Sequence, residues 1–398
     1  MTNLSDFYNP ARRIESLKPY FFHALNQKIA GLRAKGAEVI RLDVGSPDLP
    51  PAPFIVTALV DAAMRDNTHG YAPYGGTLEF KQAAASYYYN RFGVELDPSR
   101  EVLGLIGSKE GIFNLTQAII NPGDRVLVPN PGYPTYQVSS EIAGAKVYFM
   151  PLLEENGFLP DLDAIPEEVI KSARILWINY PNNPTGAVAS LDNLKKIIDF
   201  GREHGIIIAH DAPYMDVCYD GYQPASILQV EGASEVAIEF NSLSKTYNMA
   251  GWRLGIAAGN TELIRHLNLY KTLTDSSSFL PLFSAGLAAL TGNQDWLHER
   301  NRIYQSRRDL VVQGFREMGF KTTMPQAALY VWAKIPQNRR GSMTFCDDIL
   351  EKTGVSTTPG IVFGEYGEGF LRISLCTPEV ELKKALERVG GYLLQTIK

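Results

Sequence analysis

Lys245 has the most suggestive setting for chemistry in this chain. It lies in Ser242-Leu-Ser244-Lys245-Thr-Tyr-Asn-Met-Ala-Gly251-Trp-Arg253-Leu-Gly255, directly after an apolar run. A lysine placed at the end of a buried strand is pushed by desolvation toward the neutral amine, the form that attacks a carbonyl. Ser242, Ser244 and Arg253 are near enough in sequence to converge on one phosphate. Taken alone, Lys245 reads as a surface lysine on a loop; the full string carries the weight. A second segment, Gly107-Ser108-Lys109-Glu110-Gly111, follows another apolar run and opens a helix. Such a start offers backbone N–H groups and the positive end of the helix dipole to a phosphate. It lacks the Gly-x-x-x-x-Gly-Lys-Ser/Thr spacing of nucleotide-binding loops. Asp211, in Asp211-Ala-Pro-Tyr214, closes the run Ile206–His210, where a carboxylate serves either chemistry or a helix cap. Asn179-Tyr-Pro181-Asn-Asn183-Pro-Thr-Gly186 reads locally as a turn, and Arg372 on an apolar stretch as a solvated charge or half of an ion pair.

The elements that must position these residues follow from hydrophobic patterning. Glu101–Gly107, Arg125–Pro129, Lys146–Leu152, Arg174–Tyr180, Ile206–His210 and Ala237–Asn241 are rich in Val, Ile and Leu, several of them on consecutive positions, as in strands buried on both faces. Between two of them, Ser190 can cap a helix with Leu191, Leu194, Ile197 and Ile198 on one stripe, ended by Gly205. Strand-helix alternation of this kind implies an α/β fold with a mostly parallel sheet covered by helices on both sides, whose ligands bind beyond the carboxyl ends of the strands. The residues just named stand at those ends. From about Asn293 onward, charged helical stretches (Glu299–Met318, Thr344–Thr353, Pro378–Val389) flank expected strands at Leu329–Ile335 and Phe370–Leu375. We expect an N-terminal arm at 1–48 packing with the small domain, a large domain at 49–290 and a smaller α/β domain at 291–398.

Bulk properties narrow the function classes. A net charge of −5 and the lack of any long Lys/Arg run argue against nucleic acid and anionic membranes as partners. No stretch approaches the ~20 apolar residues of a bilayer span, and the opening residues show no basic-then-apolar signal, so the expectation is a cytoplasmic protein. Three cysteines without Cys-x-x-Cys spacing suit a reducing compartment, and six scattered histidines form no ligand set, so no metal is expected.

Together the motifs resemble those of the class I/II pyridoxal-phosphate-dependent aminotransferases, and the matches run in the family's order along almost the whole chain. The resemblance implies fold type I, pyridoxal 5'-phosphate as cofactor, and a homodimer with shared active sites. It implies that Lys245 carries the cofactor covalently, and that Ser108, Lys109, Ser242, Ser244 and Arg253 surround its phosphate. Tyr133, in Pro131-Gly-Tyr-Pro134, would stack on the pyridine. Asn183 and Tyr214 would share its phenolic oxygen, and Asp211 would keep its nitrogen protonated so that the ring can accept electrons. Tyr71, in Gly70-Tyr-Ala-Pro-Tyr-Gly-Gly76, is similar to the tyrosine that reaches the phosphate across the dimer. Gly45 matches the family's glycine beside the substrate, and Arg372 the arginine that grips the α-carboxylate through two parallel hydrogen bonds.

The expected activity is transfer of an amino group from an L-amino acid to a 2-oxo acid with ping-pong kinetics. Leu17-Lys-Pro-Tyr20-Phe-Phe22 and Ala34-Lys-Gly-Ala-Glu-Val-Ile40 resemble the start of LL-diaminopimelate aminotransferases, which places Tyr20 near the substrate and suggests 2-oxoglutarate as acceptor. The same opening also resembles alanine and aspartate aminotransferases, and an aromatic aminotransferase is a further alternative. A carbon-sulfur lyase of the same fold would share every cofactor contact. A regulator with an aminotransferase-like domain is disfavoured, since the chain opens within the enzyme-like segment.

Overall fold

The computed structural model describes residues 8–15, 17, 19–336 and 341–396. Lys18 of the Leu17–Phe22 segment lies outside the described residues, as do the outer ends of the expected first and last domains at 1–7 and 397–398.

A two-residue strand, β1 (Ile40–Arg41), precedes a seven-stranded sheet of β2 (Val102–Leu105), β3 (Arg125–Asn130), β4 (Lys146–Pro151), β5 (Ala173–Ile178), β6 (Ile207–Asp211), β7 (Ala237–Ser242) and β8 (Gly255–Gly259). The order across the sheet is β2-β8-β7-β6-β5-β3-β4. Neighbours from β7 to β4 are parallel, whereas β8 runs antiparallel to both β2 and β7. Alternate side chains divide between two cores, as the period of a strand requires. Leu127, Leu176, Ile178 and Ile208 pack on one face with Leu194, Ile197 and Ile198 of helix Leu191–His204. Val126, Val128, Ile175, Trp177 and Ala209 pack on the other with Ile112 and Leu115 of helix Ser108–Ile119. Burial of each such aliphatic side chain contributes roughly 1.5–3 kcal/mol.

Helix Leu191–His204 begins as its sequence suggests. The Ser190 hydroxyl accepts from the Asn193 N–H while the Asn193 side chain accepts from the Ser190 N–H, and Gly205 ends the helix at φ 65°. Leu191, at the first helical position, is exposed rather than part of the buried stripe. Strand β8 was not expected: Gly-Ile-Ala-Ala-Gly offers mostly small residues of low strand propensity. Its reversed direction matters for the site. Gly255 opens β8 opposite Ser242, the last residue of β7, so Arg253 enters from the carboxyl edge of the parallel strands.

A second sheet contains β9 (Lys321–Thr322), β10 (Tyr330–Lys334), β12 (Thr358–Pro359) and β13 (Phe370–Ser374), in the antiparallel order β12-β13-β10-β9, and β11 (Val355–Ser356) pairs in parallel with β1. The N-terminal helix Phe21–Ala34 buries Leu25 and Ile29 against Val39 and Leu350. Ile40 and Leu42 then join the core of the second sheet. Helix Asp295–Glu317 spans both units, with Leu297 in a large-sheet core and Tyr304, Val311 and Phe315 among the residues around Val331 and Ile373.

Candidate active site

The carboxyl edge of the large sheet opens into a cavity of about 590 Å³. Its wall is built strand by strand. β2 leads through Gly107 to Ser108 and Lys109, β3 to Tyr133, β5 to Asn179 and Asn183, β6 ends in Asp211 and leads to Tyr214, and β7 leads to Ser242, Ser244 and Lys245. Arg253 completes that side; Tyr20, Gly45 and Arg372 close the other. Tyr71 does not line this cavity and is 91% exposed.

Lys245 donates from Nζ to the Gly45 carbonyl at 2.6 Å. Burial, aided by the positive charges of Arg372 and Arg253, lowers its amine to about 8, so that near neutrality it exchanges a proton readily. The Lys245 backbone is held from beneath, because buried Arg300 donates to its carbonyl at 3.1 Å, to that of Thr246, and to that of Asp216 at 2.6 Å. Asp211 is buried at the end of β6, and desolvation raises its carboxyl to about 6 against the lowering effect of a hydrogen bond from Tyr136 at 2.7 Å. That bond occupies Oδ2. Oδ1 is buried with no partner among the described residues, as is the Ser244 hydroxyl. A buried carboxylate oxygen without a donor costs free energy unless an N–H arrives to meet it.

The corner between Ser108 and Arg253 depends on two glycines. Gly107 has φ 78°, and a Cβ there would lie 2.4 Å from Nη2 of Arg253; a Cβ on Gly255 would lie 2.8 Å from the Ser108 amide nitrogen. The Arg253 guanidinium crosses the start of helix Ser108–Ile119 on its way to the Ile106 and Ala250 carbonyls. One cation, the Ser108 helix start and the hydroxyls of Ser242 and Ser244 therefore converge, a donor set suited to a phosphate. Lys109 extends elsewhere, its Nζ 5.1 Å from the ring centre of Tyr20 and 6.0 Å from that of Tyr133. Together with the unpartnered Oδ1 of Asp211 and the amine of Lys245, this corner fits a phosphorylated pyridine aldehyde.

On the opposite wall, buried Arg372 donates to Asn183 Oδ1 at 2.8 Å and to the Asp43 carbonyl at 2.8 Å, while its Nε has no partner among the described residues. Asn183 is itself fixed by Asn179, whose Oδ1 accepts from the Asn183 N–H at 2.7 Å and whose Nδ2 donates to the Asp211 carbonyl at 2.6 Å. Tyr136, Tyr330, Arg300 and Asp43 were not singled out from the sequence. Tyr136 lies in the helix Pro134–Ile142 that Tyr133 caps, close enough in sequence to Tyr133 to have been a candidate; the others had no local signal. Among the described residues, no group of three or more His, Cys, Asp or Glu could hold a metal ion, and no helix is long and apolar enough to cross a membrane.

The family model described as aminotransferase class I and II matches residues 37–389. The LL-diaminopimelate aminotransferase of Dehalococcoides mccartyi is 46% identical over 97% of this chain and 99% of that protein. The protein of the same name from Moorella thermoacetica is 47% identical over 96% and 98%. The substrate-bound BacF structure from Bacillus subtilis superposes with a TM-score of 0.93 at 37% identity, covering 96% of this chain and 98% of that one.

Proposed function

Because the chain belongs to the aminotransferase class I and II family, we propose that it holds pyridoxal 5'-phosphate on Lys245 and moves the amino group of LL-diaminopimelate to 2-oxoglutarate in a ping-pong cycle. It is an aminotransferase, an enzyme of amino acids and 2-oxo acids. The observation that carries the cofactor assignment is one cavity holding the Lys245 amine and the buried Asp211 carboxylate with one oxygen unpartnered among the described residues.

Bound there, the cofactor supplies an electron sink for the charge left when the substrate's α-proton departs. The protein does the rest. Arg372 orients the substrate by its α-carboxylate, and the Lys245 amine takes the α-proton and returns it. Asp211, held by Tyr136, would keep a proton on the ring nitrogen through charge pairing. Tyr214 and Asn183 would donate to the phenolic oxygen, Tyr133 would stack on the ring, and Ser108, Ser242, Ser244 and Arg253 would hold the phosphate, whereas Lys109, expected there too, is turned toward Tyr20. In a homodimer, Tyr71 would reach the partner's phosphate, consistent with its exposure here. We take the functional divisions to be 1–48, 49–290 and 291–398, and the enzyme to be cytoplasmic.

The substrate reading rests on the names of relatives that align end to end and on polar groups along the wall beyond Arg372. Lys109 stands over Tyr20, and Arg41 holds the buried Asp43 through two hydrogen bonds of 2.7 and 2.6 Å. A substrate with both ammonium and carboxylate at its distal end needs such polar partners, and one left unpaired costs ~1–3 kcal/mol. A panel of amino donors with 2-oxoglutarate tests this. Highest kcat/KM on LL-diaminopimelate is expected, with Tyr20→Phe reducing it more than turnover of alanine. Preference for alanine, aspartate or an aromatic donor would remove the substrate, and oxo acid release without an acceptor would point to a lyase. Borohydride reduction of the holoenzyme followed by peptide mapping should place the pyridoxyl label on Lys245.

A further inference from the structure

Tyr330 opens strand β10 and touches three parts of the cavity wall at once. Its hydroxyl lies 2.9 Å from that of Tyr214, which follows β6 of the large sheet. Its ring centre lies 4.2 Å from the guanidinium of Arg372 on β13. It also packs so closely on the arm that a Cβ at Gly45 would come within 2.1 Å of its hydroxyl oxygen. We infer that Tyr330 is a positioning residue that couples the grip on the substrate carboxylate to the hydrogen bond Tyr214 makes toward the cofactor. This rests on the roles given above to Tyr214, Arg372 and Lys245.

A tyrosine hydroxyl has one proton, so if Tyr214 donates it to the ring oxygen, Tyr330 must be the donor in the Tyr330–Tyr214 pair. A hydroxyl that accepts one hydrogen bond donates a stronger second one. At its other end, the Tyr330 ring covers one face of the Arg372 guanidinium, while Asn183 and the Asp43 carbonyl hold two of its nitrogens. The fork is thereby fixed in plane with Nε left for a carboxylate. Because Tyr330 and Arg372 lie on adjacent strands of the second sheet and Tyr214 follows the first, the contact joins the two units at the reacting centre.

The test uses holoenzyme reconstituted with pyridoxal phosphate and compares Tyr330→Phe, which removes only the hydroxyl, with Tyr330→Leu, which also removes the ring. In Tyr330→Phe the pH midpoint of the visible band should rise by up to about one unit, the size of one net hydrogen bond. A weaker donor at Tyr214 leaves more negative charge on the ring oxygen, which holds the neighbouring proton more tightly. In a Tyr214→Phe background the same change should shift nothing further. Succinate, read by its effect on that band, should bind Tyr330→Phe as it binds the unaltered enzyme and Tyr330→Leu about tenfold more weakly. An unchanged midpoint in Tyr330→Phe, an equal shift with Tyr214 removed, or unweakened succinate binding to Tyr330→Leu would each overturn the inference. If the unaltered protein forms no visible band, the functional reading fails instead. The hydroxyl pair is then tested in ligand-free protein by urea unfolding of the same two Phe variants and their double, where strictly additive losses would refute the coupling.

Discussion

At the scale of single residues, the two titrating groups of the cavity make opposite demands on pH. Burial raises the Asp211 carboxyl from 3.8 to about 6 in the ligand-free protein. Its stabilising contribution is therefore fully present below the unfolded value near 4 and is lost as pH rises through about 6, a difference of ~3 kcal/mol. Asp211→Asn removes that cost, and Tyr136 can still donate to the amide oxygen. Ligand-free Asp211→Asn should thus be more stable than the unaltered protein at pH 7, with the gap closing toward pH 4, while its transamination falls by ~3–4 kcal/mol of barrier. Urea unfolding across this pH range checks the first and turnover the second. Arg372→Lys should cost about 2 kcal/mol, roughly thirtyfold in kcat/KM, on every amino donor alike, since a lysine has no planar guanidinium to bridge Asn183, the Asp43 carbonyl and a carboxylate at once. An effect confined to one donor would place Arg372 at the side-chain end. Patterning placed Lys245 and Asp211 at strand ends and Arg372 on a strand, and the roles expected of them came from the resemblance of the strings around them. Tyr330 was not legible, since Leu-Tyr-Val-Trp looks like any buried strand.

At the scale of elements, the corner proposed for the phosphate requires a helix start and a reversed strand to meet. That a helix opens at Gly107–Gly111 was foreseen; the direction of β8, which brings Arg253 to the same edge, was not. Gly107, at φ 78° and ψ 155°, occupies a region open essentially to glycine alone, where another residue costs ~1–3 kcal/mol, and the added methyl would also press on Arg253. Gly107→Ala should therefore weaken pyridoxal phosphate binding by at least about tenfold, the effect of ~1.4 kcal/mol. Titration of ligand-free protein followed at the visible band measures it, and an unchanged far-ultraviolet circular dichroism spectrum would locate the loss in the corner rather than in the fold. Unaltered affinity would mean that Arg253 does not serve the phosphate.

At the scale of the whole molecule, helix Asp295–Glu317 ties the parts of the site together through buried arginines. Arg300 holds the Lys245 carbonyl, and Arg307 binds Asp48 at 2.8 and 3.0 Å and the Leu375 carbonyl at 3.1 Å. Arg308 binds Asp220 and the Pro325 carbonyl. Such guanidinium groups satisfy several carbonyls at once, which a single apolar contact cannot do. The exposed Tyr71 belongs to the same scale. If it acts across a dimer, mixing inactive Lys245→Ala chains with impaired Tyr71→Ala chains and allowing exchange should restore activity, because each hybrid contains one site free of both changes. Mixtures no more active than their parts would place Tyr71 outside the site. The sequence by itself determined the mostly parallel sheet and the polar strand ends, Lys245 among them, that line the cavity, since these depend on local periodicity and on short strings of residues. Only the tertiary structure decided that Tyr136 holds Asp211, that Arg300 holds the Lys245 backbone and that Tyr330 joins Tyr214 to Arg372. Those partners lie 55 to 116 positions apart or on separate strands, and no local pattern encodes which buried polar groups packing will bring within hydrogen-bond reach.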